Sequence, residues 1–303
     1  MSFNNCFSPC EICPFHCWDI STPDGFIFNE DTLKLDGAAK LDSKGLLTLT
    51  NASFSQQTGH AFYNNAIQFK NSTNNGSVIS FSTTFIFAIV PEYTGGSGMA
   101  LVISPSKKLQ GALPGYLGLF DDTNIGTSSN HIVAVELDTF QDFDMEIRDK
   151  DSNHVGIDIN CLKSIKSARA GYFPAGKNGN FTDLNLQSGD PMQVWVEYNG
   201  IDKQLNVTLS PTNVPKPDIP LLSLTLDLSP VILDSMYVGF SSGMRRVYRG
   251  VLPTLNTEVA VKRVAHDSRQ GMREFLAEIA TIGRLRHPNL VRLIRAKVEV
   301  EGG

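Results

Sequence analysis

The chain has 303 residues, 41% hydrophobic and 19% charged, with a formal net charge of −5. That is too apolar and too weakly charged for a disordered polymer, and enough chain for one large domain or two ordinary ones. The acidic balance gives nucleic acid no electrostatic footprint, and no apolar run approaches the roughly 18–20 residues that span a bilayer, Phe85–Val90 being only strand length.

Residues 1–23 form a cysteine-rich leader. Cys6, Cys10, Cys13 and Cys17 stand in a C-x3-C-x2-C-x3-C run, while Cys161 stands alone. Four thiolates can satisfy a tetrahedral zinc ion. Pro9 and Pro14 interrupt the run and no second half supports it, so an untidy leader is the better reading. Glu11, His16 and the prolines also deny this segment the basic and apolar regions of a signal peptide. Five Asn-x-Ser/Thr sequons, at Asn51, Asn71, Asn75, Asn180 and Asn206, nevertheless point to a secretory origin.

From Asp24 to Gly243 short strands follow one another. Alternation of apolar and polar residues marks Leu46–Thr50, Val78–Val90, Met99–Ser104, His131–Phe140, His154–Asn160, Met192–Tyr198, Gln204–Leu209, Leu222–Leu228 and Met236–Phe240. Turn clusters such as Asn74-Asn75-Gly76, Gly95-Gly96-Ser97-Gly98 and Asn199-Gly200 separate them. Many half-buried antiparallel strands over about 220 residues predict a large β-sandwich or barrel.

The densest chemistry lies in residues 131–160. In an extended strand Glu136, Asp138 and Phe140 share one face, and Val133, Val135, Leu137 and Thr139 the other. Two neighbouring carboxylates repel unless a cation neutralises them. Asp142, Asp144, Glu146, Asp149 and Asp151 follow in one loop, and His154 opens the next strand. Carboxylates with one imidazole suit a hard oxygen-ligated ion together with a softer neighbour. A solvated acidic loop would leave the in-strand Glu-x-Asp pair unexplained, and general acid–base work by paired carboxylates would leave His154 idle.

The stretch VAVELDTF, followed by an aspartate that four residues separate from HVGIDIN, resembles the metal-binding signature of the legume (L-type) lectins. GLLTLTN, GHAFY, VISFSTTFIFAIV, GMALVISP, YLGLFD and YVGFSSG extend the resemblance over 24–243. It implies a mainly β chain, a legume-lectin jelly-roll β-sandwich, with calcium and manganese beneath a sugar site. Carried across, Glu136 and His154 bind manganese, Asp138 and Asp149 bridge both ions, and calcium takes the Phe140 carbonyl and the Asp142 side chain. Ser164 matches a position that reaches manganese through water. The sugar-binding positions become Ser97, Gly115, Phe140 and Asp142. The family has Asp at the place of Ser97 and usually Asn at that of Asp142. A hydroxyl lacks the charge that makes such bonds strong, and Asp lacks the amide N–H given to the sugar. The resemblance therefore implies ions held better than a glycan or glycoprotein ligand. The family's non-proline cis peptide would fall at Gly96–Ser97.

After Gly243 the character changes. Residues 244–303 hold twelve basic and six acidic side chains, whereas the first 243 hold fourteen and twenty-five. Val247–Leu252 and Glu258–Val264 predict two strands, and Ser268–Arg286 an amphipathic helix from a Ser268 cap to the stop at Pro288. VYRGVL, EVAVKRV and RHPNLVRLI resemble the start of a plant receptor-like protein kinase. That implies ATP-contacting roles for Lys262 and Glu278. Met244, Arg245 and Arg246 replace the glycines expected there, and no catalytic loop follows, so ATP and kinase activity are not expected.

Together the halves resemble an L-type lectin receptor-like kinase, a plasma-membrane family with its lectin outside the cell. The final lectin strand, stalk, membrane helix and first kinase strand are missing at Gly243, as in a truncated or mis-joined product. A receptor Ser/Thr kinase and a non-catalytic interaction protein, self-associating as a homodimer through a sheet edge left open, are the alternatives.

Overall fold

Met192, Val194, Val196 and Tyr198 are buried while Gln193, Trp195 and Glu197 between them stay half-exposed, the period of two that lets a strand bury one face. The computed structural model describes residues 31–50, 56–70, 76–90, 98–109, 116–121, 123–140, 151–174, 180–245, 247–252 and 257–262, with residue 56 and those beyond 244 as backbone alone. Its strands are β1 (Leu33–Gly37), β2 (Lys40–Leu41), β3 (Leu47–Thr48), β4 (Gln56–Tyr63), β5 (Ile67–Gln68), β6 (Phe81–Phe87), β7 (Met99–Ser104), β8 (Val133–Asp138) and β9 (His154–Ile159). They continue as β10 (Lys166–Arg169), β11 (Gly171–Tyr172), β12 (Thr182–Asp183), β13 (Met192–Asn199), β14 (Gln204–Pro211), β15 (Leu222–Thr225), β16 (Ser235–Arg245), β17 (Val247–Leu252) and β18 (Thr257–Lys262).

The larger sheet runs β1-β4-β16-β7-β8-β9-β10, with β5 also paired to β16; the smaller runs β15-β14-β13-β6. All these pairings are antiparallel. One hydrophobic cluster joins the two sheets. Phe85, Phe87, Val194, Val196, Val207 and Leu209 of the smaller meet Leu101, Ile103, Val133, Val135, Leu137, Val155 and Ile157 of the larger. This is the expected β-sandwich, mainly β in class.

The half-buried alternation expected of every strand fails at the centre of the larger sheet, where all six residues of β8 are buried. The cause is a second apolar cluster on the sheet's other face. Tyr116, Leu117, Leu119, Phe120, Ile132 and Leu162 cover Phe62, Ala100, Val102 and Ala134. Covered on both sides, β7 and β8 read as nearly continuous apolar runs. His60 pins this cover: its Nδ1–H donates to Ser241 Oγ (2.9 Å), and the Ser241 hydroxyl donates to the Leu117 carbonyl (2.6 Å). Burial lowers the His60 pKa, with Asp36 opposing weakly, so the neutral ring is favoured.

The strand β16 runs two residues past Gly243, pairing Met244 with Gln57 and Arg245 with Gln56. Beyond it β17 and β18 pair antiparallel, Val247 opposite Lys262. The helix expected at Ser268–Arg286, including Glu278, and the four leader cysteines lie outside the described residues, as does the Gly96–Ser97 peptide. Among the described residues no helix is long and apolar enough to cross a membrane.

Candidate metal centre

Strand register assembles the site. On β8 and β9, Ala134 lies opposite Asp158, Glu136 opposite Gly156, and Asp138 opposite His154. These six residues therefore share one face of the larger sheet. Glu136, Asp138 and His154 bring one ligand atom each to within 4.8 Å of one another. Glu136 is only 1% exposed and His154 4%.

Gly156 makes room for the Glu136 carboxylate. A Cβ there would lie 1.9 Å from Ser164 Oγ and 2.3 Å from Glu136 Oε1. Glu136 thus folds across the neighbouring strand at the point where that strand has no side chain. Asp138 is aimed by its own turn, its Oδ1 accepting the Phe140 N–H at 2.6 Å. Gly98 lies close by: a Cβ on it would lie 3.0 Å from Asp138 Cα, and the Ser242 hydroxyl donates to the Gly98 carbonyl at 2.8 Å.

The protons show what the cluster lacks. His154 Nδ1 is 3.0 Å from the Asp151 carbonyl, which can only accept, so Nδ1 carries the hydrogen. The other ring nitrogen, Nε2, faces Glu136 Oε1 at 3.2 Å. Either a second proton or a cation must sit between them. Ser164 Oγ lies 2.5 Å from Glu136 Oε1 and 2.7 Å from Asp158 Oδ1. One hydroxyl has one hydrogen, so one of the two carboxyls must bring its own. Burial first, and the Glu136 charge second, push the Asp158 carboxyl well above the ordinary carboxylate range. Asp158 therefore holds the proton.

Two buried polar atoms, Asp158 Oδ2 and Thr139 Oγ1, have no hydrogen-bond partner among the described residues. Buried polar atoms are nearly always paired, and of these two the Asp158 oxygen shares the sheet face of Glu136 and His154, where an orphan beside converging acceptors fits a site built for a hydrated cation. The donor set, two carboxylates and an imidazole nitrogen with its hydrogen on the far side, fits a divalent cation.

Of the residues expected from sequence, the structure brings together Glu136, Asp138, His154 and Ser164 and places Phe140 half-buried beside them. Asp142, Asp149, Ser97 and Gly115 lie outside the described residues, and Lys262 is described only as the backbone end of β18. Sequence reasoning missed Asp158. The signal was present, since His154, Gly156 and Asp158 alternate on one strand face.

A profile of the legume lectin domain matches residues 24–251. The putative L-type lectin-domain containing receptor kinase V.1 of Arabidopsis thaliana is 40% identical over 390 aligned positions, covering 89% of this chain and 57% of that protein. The chain thus spans little more than half the length of that relative. Because 390 aligned positions exceed the 303 residues by 87, at least that many residues of the relative have no counterpart here. Among solved structures, lectin II from Ulex europaeus superposes with a TM-score of 0.61 at 28% identity, covering 78% of this chain and 92% of that one. Lectin UEA-II complexed with galactose gives a TM-score of 0.60, also at 28% identity and with the same coverage.

Proposed function

The chain belongs to the legume lectin domain family, and from that premise we propose that it is a carbohydrate-binding module held together by a calcium–manganese pair. The observation that carries this is the convergence of Glu136, Asp138 and His154 on one buried sheet face. In this reading Glu136 and His154 would hold manganese, Asp138 and Asp149 would serve both ions, and the Phe140 carbonyl and Asp142 would complete calcium. Bound there, such ions would neutralise the acids that otherwise crowd this face. The chain's own groups then meet the sugar: the Phe140 ring as a stacking face, the Gly115 backbone as donor, and Ser97 and Asp142 as the polar contacts.

The galactose complex of a similar lectin supports a sugar ring as the ligand class. Ser97 in place of a carboxylate makes binding weak, because a neutral acceptor forms about half as strong a bond as a charged one. Glycan-array binding is therefore expected to be weak and abolished by chelator. Ser97→Asp should strengthen it about tenfold or more, the worth of one charge-assisted bond. Tight binding that survives cation removal would refute the proposal.

We read residues 244–303 as a kinase N-lobe fragment, supported by the receptor-kinase relative, at least 87 residues of which have no counterpart here. Lys262 and Glu278 keep the residue types for ATP. Met244, Arg245 and Arg246 replace the glycines that would admit the phosphates, and the first two end β16, paired with Gln57 and Gln56 of β4, so sugar binding rather than phosphoryl transfer is the function proposed.

A second reading, self-association into a homodimer, rests on β6. Among the described residues it pairs only with β13, carries no charge, and exposes 45% of Ile86. The other edges are guarded: Lys34 and Asp36 lie on β1, Lys166 and Arg169 on β10, and the Lys166 ammonium donates to the Ser223 carbonyl of β15. Antiparallel pairing of β6 with its copy would bring no like charges together. Light scattering should show a dimer that Ile86→Lys converts to monomer. A wild-type chain that is monomeric at tens of micromolar would end this reading.

A further inference from the structure

Of the five sequons, the described residues include Asn180 and Asn206. Asn206 lies in the middle of β14, opposite Glu197 on β13 and Ser223 on β15. It points away from the core, being half-buried between the fully buried Leu205 and Val207. Its carboxamide is held from one side only. The Ser223 hydroxyl donates to Asn206 Oδ1 at 2.7 Å, Ser223 accepts from Gln204 Nε2 at 2.7 Å, and the Thr225 hydroxyl donates to Gln204 Oε1 at 2.9 Å. No hydrogen bond engages Nδ2 among the described residues.

We propose that Asn206 carries an N-linked oligosaccharide that shields the outer face of the smaller sheet. The donor class is a polyprenyl-pyrophosphate-linked oligosaccharide. Asn206 Nδ2 attacks the anomeric carbon, the new N–C bond forms, the bond from that carbon to pyrophosphate oxygen breaks, and polyprenyl pyrophosphate leaves. Nδ2 gives up one proton to base. The product keeps Oδ1 and one N–H, so the bond from Ser223 survives the modification unchanged. A sequon whose oxygen is anchored and whose nitrogen is unengaged accommodates the sugar without altering the sheet.

The timing follows from burial. Thr208, whose hydroxyl completes the sequon, is only 2% exposed in the folded sheet. Transfer therefore precedes closure of the β13–β14 pair, and the folded chain is not a substrate. The sugar then stands over Glu197 and Ser223, on a face that also presents Trp195.

The test translates the full chain behind a cleavable secretion signal in the presence of microsomes, with entry scored by protease protection. Endoglycosidase treatment followed by peptide mass mapping reads occupancy. Most of the protected chain should carry a sugar at Asn206. Asn206→Gln and Thr208→Ala should each remove one glycan mass, Thr208→Ser should retain it, and folded unmodified chain added afterwards should gain none. A protected chain with an unmodified Asn206 peptide, or occupancy confined to aggregated material, would overturn the assignment.

Discussion

Replacing Gly156 with alanine is expected to destabilise the protein by about 3 kcal/mol, the usual cost of forcing a side chain into a filled interior plus the hydrogen bonds it disrupts. The new Cβ would sit 1.9 Å from Ser164 Oγ, 2.3 Å from Glu136 Oε1 and 2.9 Å from Glu136 Cγ. None of these distances is tolerable, and Glu136 has no solvent to retreat into. The carboxylate must leave its place against His154, so stability and the cation site fail together. The nearest obstruction is a single oxygen atom, which gives a sharper check. Adding Ser164→Ala to Gly156→Ala should restore roughly a third of the lost stability in urea titrations, because it removes the 1.9 Å contact. A Gly156→Ala variant within about 0.5 kcal/mol of wild type would show that the pocket is looser than its distances.

The sandwich is legible in the sequence where one face of a strand is apolar. Met99–Ser104 keeps its expected bounds, and Met192–Tyr198 and Gln204–Leu209 extend by only one and two residues. The strand β4, QQTGHAFY, shows no such alternation, although its GHAFY portion carries the family resemblance. It buries Gln57 and His60, the latter held by Ser241 Oγ, as well as the neighbouring Ala61 and Phe62, so burial runs on without a period of two. The end of β16 is hidden likewise, since Ser241 and Ser242 are buried by donating to the Leu117 and Gly98 carbonyls. Leu222–Leu228 ends early because the Tyr198 hydroxyl bonds both the Leu226 carbonyl and the Leu228 N–H.

In the site, a strand period of two puts Glu136 and Asp138 on one face from sequence alone. The pairing that sets Asp158 opposite Ala134 and Gly156 opposite Glu136 is not legible there, because register depends on two strands at once. The consequence is large. Alternation puts Asp158 on the face of His154 but does not show it buried beside Glu136, and it is this acid that holds a proton in the cation-free protein.

That proton gives the second large effect opposite signs in two states. Glu136→Gln should weaken divalent-cation binding at least a hundredfold, because it replaces an anionic ligand with a neutral one in a buried site. With cation at about a thousand times the wild-type dissociation constant, wild type gains roughly 4 kcal/mol on binding, and the variant loses most of that gain. Without cation the same substitution should leave stability unchanged or raise it, since it removes the Glu136 charge that helps force Asp158 to take up a proton on folding. Raising the pH separates the two proteins further. The folded Asp158 carboxyl lies well above its unfolded value of about 4, so its contribution is present in acid and is lost as pH climbs from there through the raised folded value. Glu136 is part of the cause of that rise, so in the variant the loss should be smaller and complete at lower pH. Calorimetric titration and thermal melts, each with cation and with chelator, read all three effects. A variant destabilised equally with and without cation would mean that Glu136 is merely a packed side chain, and the cation reading of the whole face would fall with it.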